Sequence, residues 1–255
     1  MTIPAFSLRG KAALVTGARR GIGRTLALAF AEAGADVAVC DLVIDDGLLE
    51  GVAEDIKSLG RRSFSIQADT SRKNDVERMI QRIVQEFGAL DILVNNAGTA
   101  SPGPLLDLPE EEWDRVIQVN LKGYFLCAQA AGRVMMKQRK GVILCTASQY
   151  AFKAAAGMGV YCISKAGVAM LIRVLARELG GCGIRVNGIA PGLVKTDMSR
   201  NDWEDPEIRA QREAVTPLGR LAETDDLVGA ALFLASDASA YVSGHIILVD
   251  GGEMA

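Results

Sequence analysis

Seven short apolar runs, each separated from the next by a stretch of helical periodicity, constrain the fold of this chain more than any other feature. The runs are residues 11–16 (KAALVT), 36–40 (DVAVC), 63–68 (SFSIQA), 90–98 (LDILVNNAG), 141–147 (GVILCTA), 184–190 (IRVNGIA) and 246–250 (IILVD). Helical patterns fill residues 21–34, 47–59, 73–87, 109–138, 159–180 and 224–235. Strand cores such as ILV, VIL and IILV lack the polar alternation of a half-exposed strand, so both of their faces must be covered, as in a parallel sheet with helical crossovers. The pattern predicts an α/β protein with a doubly wound, mainly parallel seven-stranded sheet and helices on both faces.

The chain has 255 residues and 27.1 kDa, which fits a single domain over residues 1–255. Hydrophobic residues make up 49% and aromatic ones only 5%, so the layers between sheet and helices must be filled by Ala, Val, Ile and Leu. Residues 195–220 interrupt the alternation with a polar segment carrying Trp203, and a long segment of that kind is predicted to be an irregular lid over a substrate. A net charge of −3 gives no electrostatic footprint for nucleic acid. No apolar run reaches membrane-spanning length and the N-terminus lacks a signal-peptide pattern, so a cytoplasmic protein with no membrane partner is expected. The five cysteines are scattered without a Cys-x-x-Cys and read as reduced thiols, and the single histidine, His245, makes a metal site unexpected.

The first strand runs into Thr16-Gly17-Ala18-Arg19-Arg20-Gly21-Ile22-Gly23, which opens the first helix. Glycines there allow backbone to approach a ligand, and the free N–H groups of a helix start favour an anion. Asp41 closes the second strand roughly twenty residues on, where an acidic side chain would accept from a ribose diol, so the pair predicts a dinucleotide site. The spacing Gly-x-x-x-Gly-x-Gly is not that of a nucleotide-triphosphate loop.

Tyr161 and Lys165 lie four residues apart and share one helix face, with Ser148 at the end of the preceding strand. A phenol must drop about three units from a pKa of ~10, roughly 4 kcal/mol, to act as a base near neutrality. A lysine charge at about 4 Å in an effective dielectric of about 20 supplies that much at most, and a cationic cofactor ring would help.

With these pieces together the chain resembles the short-chain dehydrogenase/reductase family, of its NAD-preferring type. The resemblance spans nearly the whole length and rests on TGARRGIG, Asp69, NNAG at Asn95 to Gly98, Asn120, Ser148 with Tyr161-x-x-x-Lys165, Pro191-Gly192 with Thr196, and the terminal SGHIILVDGG. It implies a Rossmann fold and a catalytic set of Asn120, Ser148, Tyr161 and Lys165. Tyr161 would be the general acid/base, Ser148 would bond the reacting oxygen, Lys165 would tune Tyr161 and hold the nicotinamide ribose, and Asn120 would support a proton-relaying water.

Cofactor contacts are implied for Gly17, Arg19, Arg20, Gly21, Ile22, Gly23, Asp41, Asp69, Thr70, Asn96, Ala97, Gly98, Tyr161, Lys165, Pro191, Gly192, Val194 and Thr196, with Ile189 near the nicotinamide. Substrate contacts are implied for Ser148, Gln149, Ala154, Met158, Leu193 and Trp203. Asp41 should repel a 2′-phosphate more than the mobile Arg20 attracts it, which predicts NAD over NADP. The expected substrate is a secondary alcohol or ketone: a polyol, sugar derivative, cyclic alcohol or hydroxyacyl compound. An NADP-dependent ketone reductase and a catalytically silent NAD-binding regulatory protein are the alternatives. A serine hydrolase lacks its Gly-x-Ser-x-Gly elbow. The helix from Val160 to Leu179 is apolar nearly all round, so one face is expected to meet a partner chain, in agreement with the family's usual homotetramer.

Overall fold

The structure, a computed structural model, describes residues 6–255. In chain order its elements are β1 (Ala12–Thr16), α1 (Gly21–Glu32), β2 (Asp36–Asp41), α2 (Leu48–Ser58), β3 (Ser63–Gln67), α3 (Lys73–Phe87), β4 (Ile92–Asn95), α4 (Glu110–Ile117), α5 (Gly123–Gln138), β5 (Gly141–Thr146), α6 (Gly159–Leu179), β6 (Ile184–Pro191), α7 (Arg200–Trp203), α8 (Pro206–Ala214), α9 (Val228–Ala235) and β7 (Ile246–Val249). The seven strands form one sheet in the order β3-β2-β1-β4-β5-β6-β7, every neighbouring pair parallel. This is the doubly wound Rossmann arrangement that the alternating runs predict.

Side-chain alternation along each strand divides the core into two layers. Leu14, Ala38, Leu93, Ile143 and Val186 point to the side packed by α3, α5 and α6. Val15, Val39, Val94, Leu144 and Ile189 point to the side packed by α1, α2 and α9. Small residues let the layers close with few aromatic rings: Phe30 of α1 and Tyr124 of α5 are among the largest fully buried side chains.

Three expectations need correction. The helix predicted over residues 109–138 is interrupted by a π-helical turn, Gln118–Lys122, which carries the buried Asn120. Such a turn inserts an extra residue into the helix, and here it presents the Asn120 amide to the hydrogen-bond partners described below. The segment 195–220 is not irregular: a 3₁₀ turn, α7 and α8 occupy much of it. Asp205 caps α8 by accepting from the N–H groups of Glu207 and Ile208, with Pro206 in the first turn, a start signal that its polar composition obscured.

The third correction concerns α6, since Gly159–Cys182 is long and apolar enough to cross a membrane by length and composition alone. Its apolar residues serve the core instead, with Val160, Val168, Ala169 and Ile172 buried. Ile163, Met170 and Val174 remain exposed on its outer side.

Candidate active site

The chain leaves β1 for α1 on one side of the sheet and leaves β4 for α4 and α5, of which α5 packs on the other side, which opens a crevice at the carboxyl ends of the strands. A pocket of about 430 Å³ occupies it. Its floor is backbone packed on backbone. A Cβ on Gly17 would lie 2.7 Å from the Ala97 Cα, and one on Gly23 would lie 2.1 Å from the Gly17 carbonyl oxygen. The Asn96 amide donates to the Thr16 and Gly17 carbonyls at 3.0 and 3.1 Å, while the Thr16 hydroxyl accepts from the Asn96 and Ala97 N–H groups at 3.0 and 3.2 Å. The first turn of α1 has no side-chain cap and no acidic residue, so its N–H groups face the pocket without a competing carboxylate of their own.

At one end of the pocket stands the Tyr161–Lys165 face of α6. Lys165 is buried, and its Nζ donates to the Thr146 carbonyl at 2.7 Å and to the Tyr124 hydroxyl at 3.4 Å. It lies 5.7 Å from the Tyr161 ring centroid. Burial therefore dominates both groups: it lowers Lys165 to about 8 and raises Tyr161 to about 12, against a smaller lowering of Tyr161 by the Ser148 hydroxyl. The sequence-based expectation that lysine charge brings the phenol toward neutrality does not hold for this geometry, because the ammonium is bonded to Thr146 and Tyr124 rather than to the phenol.

Ser148 is buried, and its Oγ accepts from the Tyr150 N–H at 3.1 Å at the start of a 3₁₀ turn, Gln149–Ala151. The Asn120 Nδ2 donates to the Thr99 carbonyl at 2.8 Å and the Ser164 Oγ at 3.0 Å, and its Oδ1 accepts from the Thr99 N–H at 2.8 Å. Asn120 thus ties the π-turn to the segment after β4 and to α6. A Cβ on Gly98 would lie 3.5 Å from Asn120 Oδ1 and 3.9 Å from Lys165 Nζ, so both groups border the same space.

The β2 end is acidic. Asp41 accepts from the Val43 N–H at 3.1 Å, and Asp69 accepts from the Ser71 N–H and hydroxyl at 2.9 and 2.6 Å. Arg20, the basic residue weighed against Asp41 as a partner for a 2′-phosphate, pairs with Asp197 at 2.7 Å and is more than half exposed. Arg19 is the arginine beside Asp41, with its Nε 3.7 Å from the Asp41 Oδ1.

A family model described as enoyl-(acyl carrier protein) reductase matches residues 17–253. The 3-oxoacyl-(acyl-carrier-protein) reductase of Staphylococcus aureus is 43% identical over 242 residues, 95% of this chain and 97% of that protein. The solved structure of a short-chain type dehydrogenase/reductase from Mycobacterium marinum matches with a TM-score of 0.91 at 40% identity, covering 97% of each chain. A gluconate 5-dehydrogenase from Burkholderia cenocepacia, in complex with NADP and tartrate, matches with a TM-score of 0.94 at 35% identity, covering 99% of this chain and 98% of that one. The chain belongs to the short-chain dehydrogenase/reductase family.

Short-chain dehydrogenase/reductases bind a nicotinamide dinucleotide, and the pocket of this family member fits one. The glycine floor admits no side chain, the uncapped α1 start suits a diphosphate, and the buried Arg19 Nε has no hydrogen-bond partner. The pocket brings together Gly17, Arg19, Arg20, Gly21, Ile22, Asp41, Asp69, Thr70, Asn96, Ala97, Gly98, Tyr161, Lys165 and Thr196. Gly23 lies beneath the floor. The Asn96 amide is committed to the glycine turn, which makes it a brace for the cofactor cradle.

Other expected contacts sit elsewhere. The Ile189 side chain, by strand alternation, and that of Val194, beyond the end of β6 and bridged to Ala222, belong to the core against the α1 layer. Pro191 is the buried last residue of β6. Gly192 and Leu193 line a separate cavity of about 240 Å³ with Thr216, Asp250 and Gly251. Trp203 is half-buried, not exposed, and its indole N–H donates to the Thr196 carbonyl at 2.9 Å, pinning α7 to the pocket edge.

Gln149 is buried and donates to Glu253 at 3.1 Å, and Lys153 pairs with the same carboxylate, so the C-terminal segment reaches the turn after Ser148. Ala154 is exposed and Met158 half-buried, bridged to Gly103. The sequence reading missed Cys40, Leu42, Val43, Ala68, Thr99, Arg115, Val119, Thr146, Asp197 and Met198 as pocket residues. Cys40, Ala68 and Thr146 are at or beside strand ends, where alternation could have found them. The spacing from Glu112 to Arg115 pairs these two on one helix face, but the contacts of Arg115 with Thr99 and Ala100, distant in the chain, gave no local signal.

Gly23→Ala places a methyl against the Gly17 carbonyl, a backbone atom that cannot turn aside. We expect a stability loss of roughly 1–3 kcal/mol in urea unfolding and dinucleotide binding too weak to register by calorimetry.

Proposed function

We propose that the protein is an NAD-preferring oxidoreductase that moves a hydride between the nicotinamide and a secondary alcohol or ketone, with Tyr161 as general acid/base. The observation that carries this reading is the convergence of Tyr161, Lys165, Ser148 and Asn120 at the end of the dinucleotide pocket opposite Asp41. The bound dinucleotide supplies the hydride acceptor or donor. Tyr161 holds or takes the proton at its phenolic oxygen, and the Ser148 hydroxyl bonds the same substrate oxygen. Lys165 is fixed by Thr146 and Tyr124, and Asn120 holds Thr99 and Ser164 around it.

Preference for NAD is supported by Asp41 on the pocket wall and by the commitment of Arg20 to Asp197. A second reading, NADP-dependent ketone reduction, is favoured by the NADP held by the Burkholderia relative. We read residues 195–220 as a substrate lid on the single domain, hinged where Trp203 meets Thr196. Ser148, Gln149, Ala154, Met158 and Leu193 are read as the substrate side. The Lys153–Glu253 pair adds no net charge there, which suits an uncharged polyol, sugar derivative, cyclic alcohol or hydroxyacyl compound. The exposed stripe Ile163, Met170 and Val174 on α6, with Phe125 and Met136 on α5, supports a two-fold contact within a homotetramer.

Cofactor reduction followed with NAD and with NADP across a panel of secondary alcohols tests the activity. Tyr161→Phe should lose at least about a hundredfold in kcat while keeping cofactor affinity; wild-type turnover in that variant would end the proposed mechanism.

The pH dependence has a definite sign. Oxidation needs the phenolate and reduction needs the phenol, so with Tyr161 near 12 in the free enzyme kcat/KM for alcohol oxidation should rise between about pH 6 and 8. Ketone reduction should not rise over that interval. Profiles in both directions check this, and an oxidation rate that falls from pH 6 to 8 contradicts it.

Sedimentation at micromolar concentration should give a multiple of the 27.1 kDa chain. A stable monomer rules out the proposed contact.

A further inference from the structure

The β2 end of the pocket carries an arrangement that the catalytic reading does not use. Arg19 is largely buried, with 13% of its side chain exposed, and lies between two carboxylates of the β2–α2 connection. Its Nη1 donates to Asp46 Oδ2. Its Nε, 3.7 Å from Asp41 Oδ1, is too far for a hydrogen bond and has no other partner. Asp46 is itself held at both oxygens, because its Oδ1 accepts from the Leu48 N–H at 3.1 Å at the start of α2. Arg19 and Asp41 line the pocket, whereas Asp46 does not.

These contacts decide what Arg19 can offer a ligand. A guanidinium is the side chain best suited to grip a phosphate, because its donors form a planar fork. Here part of that fork and its charge are already taken by Asp46. Two carboxylates against one guanidinium also leave the cluster with a net charge of −1, which repels a phosphate carrying nearly two negative charges. A ribose 2′-hydroxyl meets no such penalty and can donate to Asp41.

We propose that Asp46 is a positioning residue for cofactor specificity: it holds Arg19 in an ion pair and so withholds from a ribose 2′-phosphate the one arginine placed beside Asp41. This rests on the reading of the pocket as an NAD-preferring dinucleotide site. Removing the Asp46 charge should free Arg19 for the phosphate, and the gain should depend on Arg19.

The test is a double-mutant cycle of Asp46→Asn and Arg19→Ala in the full-length protein. Cofactor binding is read by calorimetry with NAD and NADP, and KM and kcat are measured for each. Asp46→Asn keeps an acceptor for the Leu48 N–H and should lower the Kd and KM for NADP by about three- to tenfold, with kcat steady. The same change in the Arg19→Ala background should give no gain. Asp46→Ser, which also keeps an acceptor without a charge, guards against local disturbance by Asn and should act alike.

An unchanged NADP affinity in both Asp46 variants overturns the inference. So does an equal gain without Arg19, which would mean that Asp46 acts by direct repulsion. If the wild-type protein binds neither dinucleotide, the parent reading fails and this one with it. If it binds NAD and the Asp46 variants leave the NADP-to-NAD ratio unmoved, only this inference fails.

Discussion

The site depends on how backbone polar groups are satisfied where β1 and β4, neighbours in the sheet, send the chain to opposite sides. Parallel strands that part in this way leave N–H and carbonyl groups without ladder partners, and buried groups of that kind are costly. Thr16 and Asn96 supply the missing partners across the gap, at 3.0 to 3.2 Å. Their bonds draw the β4 end onto the glycine turn so closely that neither Gly17 nor Gly23 has room for a methyl. The same junction sets the crevice in which Asp41, Asp69 and Gly98 come together from three different strand ends.

A second polar knot sits under the start of α6. Lys165 is an expensive residue to bury, and the Thr146 carbonyl with the Tyr124 hydroxyl satisfies it in part. Burial remains the larger influence, and it pushes Lys165 down to about 8 and Tyr161 up to about 12. A proton-transfer pair of this kind takes its working state from what binds beside it. Asn120 contributes at one remove: its amide locks the π-turn to Thr99 and Ser164, and Ser164 in turn bonds the Tyr161 carbonyl at 2.7 Å. A regular helix through residues 118–122 would carry this side chain to a different angle.

The opposite end shows how similar residues acquire different duties. Arg19 and Arg20 are adjacent in sequence, yet one is buried between the carboxylates of Asp41 and Asp46 and the other bridges to Asp197 at the edge of the α7–α8 segment. The glycine turn is thereby connected to both the ribose end of the pocket and the segment that flanks its mouth. Trp203 reinforces the second connection through the Thr196 carbonyl.

The sequence by itself determined the sheet and its two helical layers, because these follow from local rules, and the family resemblance of its motifs named many of the pocket residues. Strand alternation assigns Leu14 and Val15 to opposite layers, glycine is required where backbones touch, and a spacing of four puts Tyr161 and Lys165 on one face. Tertiary structure alone decided where the charged and polar ends go. Arg19 meets Asp46 27 residues away, Gln149 meets Glu253 at a separation of 104 and Arg20 meets Asp197 at 177. No periodicity encodes such pairs, since they depend on the paths of loops and on which partner relieves each buried charge. For the same reason Lys165 could be assigned to the Tyr161 face from sequence, but its attachment to Thr146 and Tyr124 could not.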